Sequence, residues 1–271
     1  MKEFSYQKFS KNDFYEKLNS RLVDMSNIEP GQHVVDLACG TGSVTQLILK
    51  RIRGAKDSAV TAIDNSSTSL KQAMEELNDV KDAAIKFIQS HVEPLSELLK
   101  DSVDAIFFCN AIHYVSDKNL FFIEVSKTLK PGGEFVFNTS FFEGGQPPET
   151  LGFYRKWMLK SRRLLRNKYG LSVNKADSKV ESRNHLNPEE YRNLLELHNL
   201  RVVKQKIDEV PVPVEGWEDI SQFEDFISGT MPGVPLDKAS DVLKETVREI
   251  YDEMGIEFLT RNWLEVVAVK I

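Results

Sequence analysis

The chain is 271 residues long and 41% hydrophobic, enough apolar surface for one large domain or one and a half ordinary ones without disulfide staples. A formal net charge of −6 excludes a surface that tracks nucleic acid over its whole extent, since phosphate binding needs clustered Lys and Arg, so no nucleic-acid partner is expected. Only Cys39 and Cys109 occur, in no ligand or redox spacing, so no metal site or disulfide framework is expected either. The stretch from Met1 to Ser10 interleaves charges with single aromatics. It holds no apolar run of signal-peptide or membrane-span length, which predicts a cytoplasmic protein with no transmembrane segment.

From His33 to Ser140 short runs rich in Val, Ile and Phe alternate with longer amphipathic stretches, the rhythm of βα units around a parallel sheet. Strands are predicted at 33–38, 59–64, 84–89, 103–109 and 134–139. Pro30-Gly31 opens the first, Cys39-Gly40-Thr41-Gly42 closes it, and Lys130-Pro131-Gly132-Gly133 turns into the fifth. Helices are predicted at 43–52, 67–77, 95–99 and 119–129, the last with Phe121, Phe122, Val125 and Leu129 along one face.

Beyond Ser140 the rhythm breaks. A loop through Gly144, Gly145, Pro147 and Pro148 leads into a helix to about Tyr169. Asn187 reads as an N-cap, Pro188 as the first helical residue and Glu190 as the reciprocal capping partner of a helix to about Leu197. Leu200 to Val212 reads as a long edge strand, 217–227 and 237–254 as helices, and 263–271 as a strand buried inside the sheet. The expected organisation is an N-terminal helical segment (1–30), a nucleotide-type core (31–140), a helical insertion (141–186), and a stretch completing the core (187–271) with a second insertion at about 217–260. Insertions after the carboxyl ends of strands normally cover the ligand crevice, so a lid is expected.

Val34-Val35-Asp36-Leu37-Ala38-Cys39-Gly40-Thr41-Gly42 runs a strand into a glycine turn and then a helix. Gly40 and Gly42 let backbone approach a nucleotide-like ligand closely. Asp64 ends the second strand, where a carboxylate accepts both hydroxyls of a ribose, with NAD as with S-adenosylmethionine. Asp36, ahead of the glycines, is what a hydride-transfer enzyme would replace with an apolar residue. These residues, with Phe87 to Leu95, Asp104 to Tyr114 and Lys130 to Phe137, are five ordered segments that together resemble the class I S-adenosylmethionine-dependent methyltransferases of small-molecule type.

The resemblance implies an α/β, Rossmann-like, mostly parallel seven-stranded sheet of order 3-2-1-4-5-7-6, the seventh strand antiparallel, with helical insertions as a lid. It implies S-adenosyl-L-methionine as cofactor and S-adenosyl-L-homocysteine as product. On its terms Asp36 orients the amino-acid end of the cofactor and Ala38 replaces the first glycine of the motif. Asn65 flanks the adenine. His91 stands where the family has an adenine-binding Asp, with Val92 contacting the base through its backbone. Asn110 faces the transferred methyl group, and Tyr15 folds across it from the N-terminal segment. Displacement at a sulfonium needs alignment and exclusion of water rather than a triad or a metal. A hydroxyl acceptor also needs a base, and His113 is the best-placed imidazole.

Aromatics at 153, 157, 217, 223 and 226 suggest a fairly apolar acceptor of moderate size. O-methylation of a small metabolite or biosynthetic intermediate, free or bound to a carrier protein, is expected, with N- and C-methylation left open. An NAD-dependent oxidoreductase would leave Asp36 unused, and a regulatory module would bind the cofactor without turning it over. Arg155, Lys156, Lys160, Arg162, Arg163, Arg166 and Lys168 form a basic run with no acidic residue. It reads as a solvated face, a site for an acidic substrate or carrier, or a contact for an anionic membrane. The oligomeric state stays open.

Overall fold

The computed structural model describes residues 4–80, 83–92, 95–174 and 185–271. Glu93 and Pro94 of the third-strand segment and most of the polar stretch ahead of Asn187 lie outside it. Seven strands, β1 (His33–Leu37), β2 (Ala59–Asp64), β3 (Ala84–Gln89), β4 (Val103–Cys109), β5 (Leu129–Thr139), β6 (Leu200–Pro213) and β7 (Phe258–Lys270), form one sheet of order β3-β2-β1-β4-β5-β7-β6. Pairing is parallel through β5, and β7 runs antiparallel to β5. This is the sheet the resemblance implied, with β6 at its edge and β7 inside. The helices are α1 (Gln7–Ser10), α2 (Asp13–Met25), α3 (Ser43–Ile52), α4 (Ser67–Glu76), α5 (Leu95–Leu98), α6 (Lys118–Thr128), α7 (Leu151–Tyr169), α8 (Pro188–Leu197), α9 (Val214–Ile220), α10 (Glu224–Thr230) and α11 (Leu236–Met254).

The described chain divides into two compact units. One holds residues 15–145, 185–208 and 263–271; the other holds 4–14, 146–174 and 209–262. Near the N-terminus the division falls between Phe14 and Tyr15.

In the sheet unit, strand periodicity sorts side chains onto two faces. Val35, Leu37, Ile106, Phe108, Phe135, Phe137 and Leu264 cluster with Phe121, Phe122 and Val125 of α6 and with Tyr191 and Leu195 of α8. Val34, Ala105, Phe107, Val136 and Val267 cluster with Leu22 and Val23 of α2 and with Ile48, Leu49 and Ile52 of α3. Burying each such side chain contributes about 1.5–3 kcal/mol, so both helical layers are driven by apolar area. The capping box of α8 forms as expected, with Asn187 accepting from the Glu190 amide and Glu190 accepting from the Asn187 amide.

In the other unit, α7 and α11 pack through Phe153, Trp157, Ser161 and Leu165, spaced on one face of α7. The Trp157 indole donates to the Leu243 carbonyl at 2.9 Å, and Ser161 and Thr246 share a hydrogen bond.

Several boundaries differ from expectation, most of all that of β7, which starts at Phe258 rather than at 263, and three differences have a visible cause. The stretch 217–227 is two helices: Ser221 bonds back to the Trp217 carbonyl, and Phe223 turns extended so that its ring meets Tyr6 at 5.1 Å. The strand β5 starts at Leu129, because the glycine turn is absorbed as an irregularity against β4, where a side chain on Gly133 would lie 2.9–3.0 Å from the Lys130 and Asp104 carbonyls. The strand β1 ends one residue early because Ala38 is left-handed, φ +51°.

Candidate functional site

The carboxyl ends of β1, β2 and β4 lie side by side, since Leu37 is in register with Ile63 on one side and Phe108 on the other. Of the three non-glycine residues with positive φ among the described residues, two sit at these ends: Ala38 and Asn110, φ +49°. Such conformations cost on the order of 1–3 kcal/mol and persist where the surroundings hold them, which marks this edge as a place of stored strain. Gly40 and Gly42 are also left-handed, φ +54° and +86°.

The two glycines serve different ends. A side chain on Gly40 would meet nothing within 4 Å, so the turn presents bare backbone to open space. A side chain on Gly42 would press on Ala73 and Leu77 at 3.1–3.2 Å. The bareness of Gly42 thus lets α4 approach, and the open cradle belongs to Gly40.

Asp64 anchors this cradle. Its carboxylate accepts from the Gly40 amide at 2.8 Å and from the Ser66 amide at 2.9 Å, and its carbonyl accepts from Ser90 at 3.0 Å. One residue therefore ties together the loops after β1, β2 and β3. It is 8% exposed, with carboxylate lone pairs left for hydroxyl donors. Asn65 is exposed, and its carbonyl accepts from Gln89 at 3.2 Å. His91 is exposed, while Val92 packs with Ala38 and Ile88 against the core.

Asp36 lies deeper, 1% exposed, accepting from the Thr45 hydroxyl at 2.6 Å at the first turn of α3. Burial pushes its carboxyl up to about 7, and the nearby Asp64 charge adds to the rise against the lowering hydrogen bonds from Thr45. Burial also pushes the Cys39 and Cys109 thiols far up, which makes both small apolar fillers rather than nucleophiles.

On the far side, the Asn110 amide donates to both the carbonyl and the side-chain oxygen of Asn138, at 2.9 and 2.8 Å. The Asn110 side-chain oxygen accepts from the amide and hydroxyl of Ser140 at 3.2 and 3.3 Å. Asn138 in turn donates to Asn19 of α2 at 3.0 Å. Tyr15, buried, lies in the first turn of that same helix. His113, 8% exposed, stacks on Phe141 with ring centroids 3.9 Å apart and touches Tyr114 at 4.1 Å.

Ala38, Gly40, Asp64 and Val92 are thus brought to one group of loops, with Asn110 across β1 from Asp64. Sequence reading missed Thr45, Asn138, Asn19 and the Phe141 ring. Asn138 left a trace, as a polar residue inside an apolar strand; Thr45 left none, because helix phase alone aims it at Asp36. Among the described residues no group of His, Cys, Asp and Glu gathers to hold a metal.

Known proteins resemble this chain. A family model described as a methyltransferase domain matches residues 28–210. The chain is 35% identical over 105 residues to a Saccharomyces cerevisiae protein named "Probable S-adenosylmethionine-dependent methyltransferase CRG1", covering 38% of this chain and 34% of that one. It is 32% identical over 125 residues to the ubiquinone/menaquinone biosynthesis C-methyltransferase UbiE of Psychromonas ingrahamii, covering 45% and 49%. These alignments span at most about half the length of either relative. Among solved structures, the cyclopropane synthase MmaA2 of Mycobacterium tuberculosis superposes with a TM-score of 0.58 at 12% identity, covering 97% of this chain and 88% of that one, a likeness of fold.

Proposed function

The chain belongs to the methyltransferase-domain family, class I and dependent on S-adenosylmethionine, and from that premise we propose that it methylates a small metabolite or biosynthetic intermediate, free or carrier-bound, at oxygen. The observation that carries the reading is the pairing of the open backbone at Gly40 with the Asp64 carboxylate that grips it. A ribose with two vicinal hydroxyls suits that carboxylate, and its nucleoside needs the room that a side chain at position 40 would fill. Asp36 and Thr45 would orient the charged amino-acid end, Asn65, His91 and Val92 would border the adenine, and Tyr15 and Asn110 would border the sulfonium.

The cofactor supplies a methyl group already activated by positive sulfur. What the chain contributes is placement. Asn138 and Ser140 hold Asn110 in its strained turn, so the group facing the acceptor does not reorganise during transfer. His113, fixed by the Phe141 stack, would accept the proton released when an acceptor hydroxyl oxygen bonds to carbon. A base so placed suits an acceptor hydroxyl, which must lose its proton on transfer.

The test is calorimetric titration with S-adenosylhomocysteine and, separately, NAD, followed by labelled methyl transfer to hydroxylated metabolites, free and carrier-loaded. Heat from the former ligand alone, with label on an oxygen that falls sharply in His113→Ala, is expected. No heat from S-adenosylhomocysteine would sink the cofactor site. Binding with no transfer to any acceptor would favour a regulatory module.

A further inference from the structure

The basic run on α7 splits into two sets. Lys160 pairs with Glu249 and Glu253, and Lys168 with Asp241 and Glu245, so both lysines are neutralised by α11. Arg155, Lys156, Arg162, Arg163 and Arg166 are exposed, and among the described residues none of their side chains makes a hydrogen bond or ion pair. Helical phase sets these five on the side opposite Phe153, Trp157 and Leu165, along about 17 Å of helix. No acidic residue interrupts them, in a chain whose net charge is −6.

The same face is not purely polar. Leu159, 58% exposed, stands one turn from Arg155, Lys156, Arg162 and Arg163, and Leu151, 53% exposed, opens the helix. The pairs Lys160 with Glu249 and Glu253, and Lys168 with Asp241 and Glu245, make α7 and α11 antiparallel. The end of α11, with Met254 39% exposed and then Phe258 53% exposed, therefore lies toward the start of α7. Every exposed large apolar side chain described in this unit is one of these four.

We propose that this cationic face of α7 docks on an anionic lipid bilayer. Arginines hydrogen-bond to several phosphates at once, and their stems allow the interleaved leucines to reach the headgroup boundary. A convex helix brings its whole row to a plane together, whereas an acidic protein would need a matching groove. The apolar stripe that would drive deep insertion is spent on α11, so attachment is electrostatic and reversible. Each cation contributes on the order of a fivefold gain in affinity near such a surface. The proposal does not depend on the reaction that the sheet unit carries out.

The experiment is co-sedimentation of the full chain with vesicles of phosphatidylcholine containing phosphatidylglycerol, against vesicles of phosphatidylcholine alone. Binding only to the mixed vesicles, weakening steeply with salt, is expected. R162Q/R163Q should lower the affinity about 30-fold by removing two cations. Leu159→Gln should weaken binding with no change in its salt dependence. All three positions are exposed, and thermal melting of the variants should be unchanged. Absence of sedimentation at low salt, equal binding to neutral vesicles, or unaltered binding by R162Q/R163Q would overturn the proposal. So would retention on immobilised polyglutamate without retention by vesicles, which would assign the face to an acidic protein.

Discussion

At the residue scale, Asp36 couples charge to binding. Held at about 7 when folded and near its ordinary value when unfolded, it takes up a proton on folding between those two pH values. Its contribution therefore favours the fold most at acid pH and is lost as pH rises through about 7. A cationic ligand group beside it would favour the anion, so S-adenosylhomocysteine should bind with proton release at about pH 6 and with little at about pH 8.5. Calorimetry in buffers of different ionisation enthalpy reads this directly. Buffer-independent heats at the lower pH, or heats unchanged in Asp36→Asn, would remove Asp36 from the site. Asp64→Ala should weaken the same ligand roughly 10- to 100-fold, the worth of hydrogen bonds to a charged acceptor. An unchanged dissociation constant would assign the carboxylate wholly to holding Gly40 and Ser66.

At the element scale, β7 carries a cost inside the sheet. Glu265, fully buried and opposite Asn138, has its carboxyl pushed up to about 7 by burial, and the nearby Asp208 adds to this against the lowering effect of Lys206 and Arg21. The sign is that of Asp36: the folded value exceeds the unfolded one, so stability falls as pH rises toward 7 and stays low above it. Glu265→Gln should raise the melting temperature at about pH 8 and change it little at about pH 4.5, and a lower melting temperature at the alkaline pH would show that the Lys206 attraction prevails. In the α7–α11 pair, Trp157→Ala should cost about 3–5 kcal/mol in denaturant unfolding, since it opens a cavity and removes the indole hydrogen bond to the Leu243 carbonyl. A loss below about 1 kcal/mol would mean that neighbouring rings refill the space.

At the scale of the whole molecule, the N-terminal residues divide their allegiance. Residues 4–14 pack on α9 and α10 through Tyr6 on Phe223 and Phe14 against the bare face of Gly216, while farther along α2 Leu22 and Val23 pack on the sheet. If Tyr15 borders the cofactor, as proposed, Tyr15→Ala should weaken S-adenosylhomocysteine binding. Equal affinity would reject that expectation. Among the described residues no helix is long and apolar enough to cross a membrane.

Local chemistry was enough for much of this. Alternating apolar runs, glycine turns and the Asn187 capping box are written in neighbouring residues, so the βα order, the helix α8 and the motif positions Asp36, Gly40 and Asp64 were legible from the sequence alone. The structure decided what depends on partners far along the chain. The break between α9 and α10 follows from Tyr6 meeting Phe223, and the role of Gly42 from the approach of α4. The clamp on Asn110 comes from Asn138, and the division of the basic run from acids on α11. Periodicity reports which face a side chain takes; only the packed chain reports what waits there.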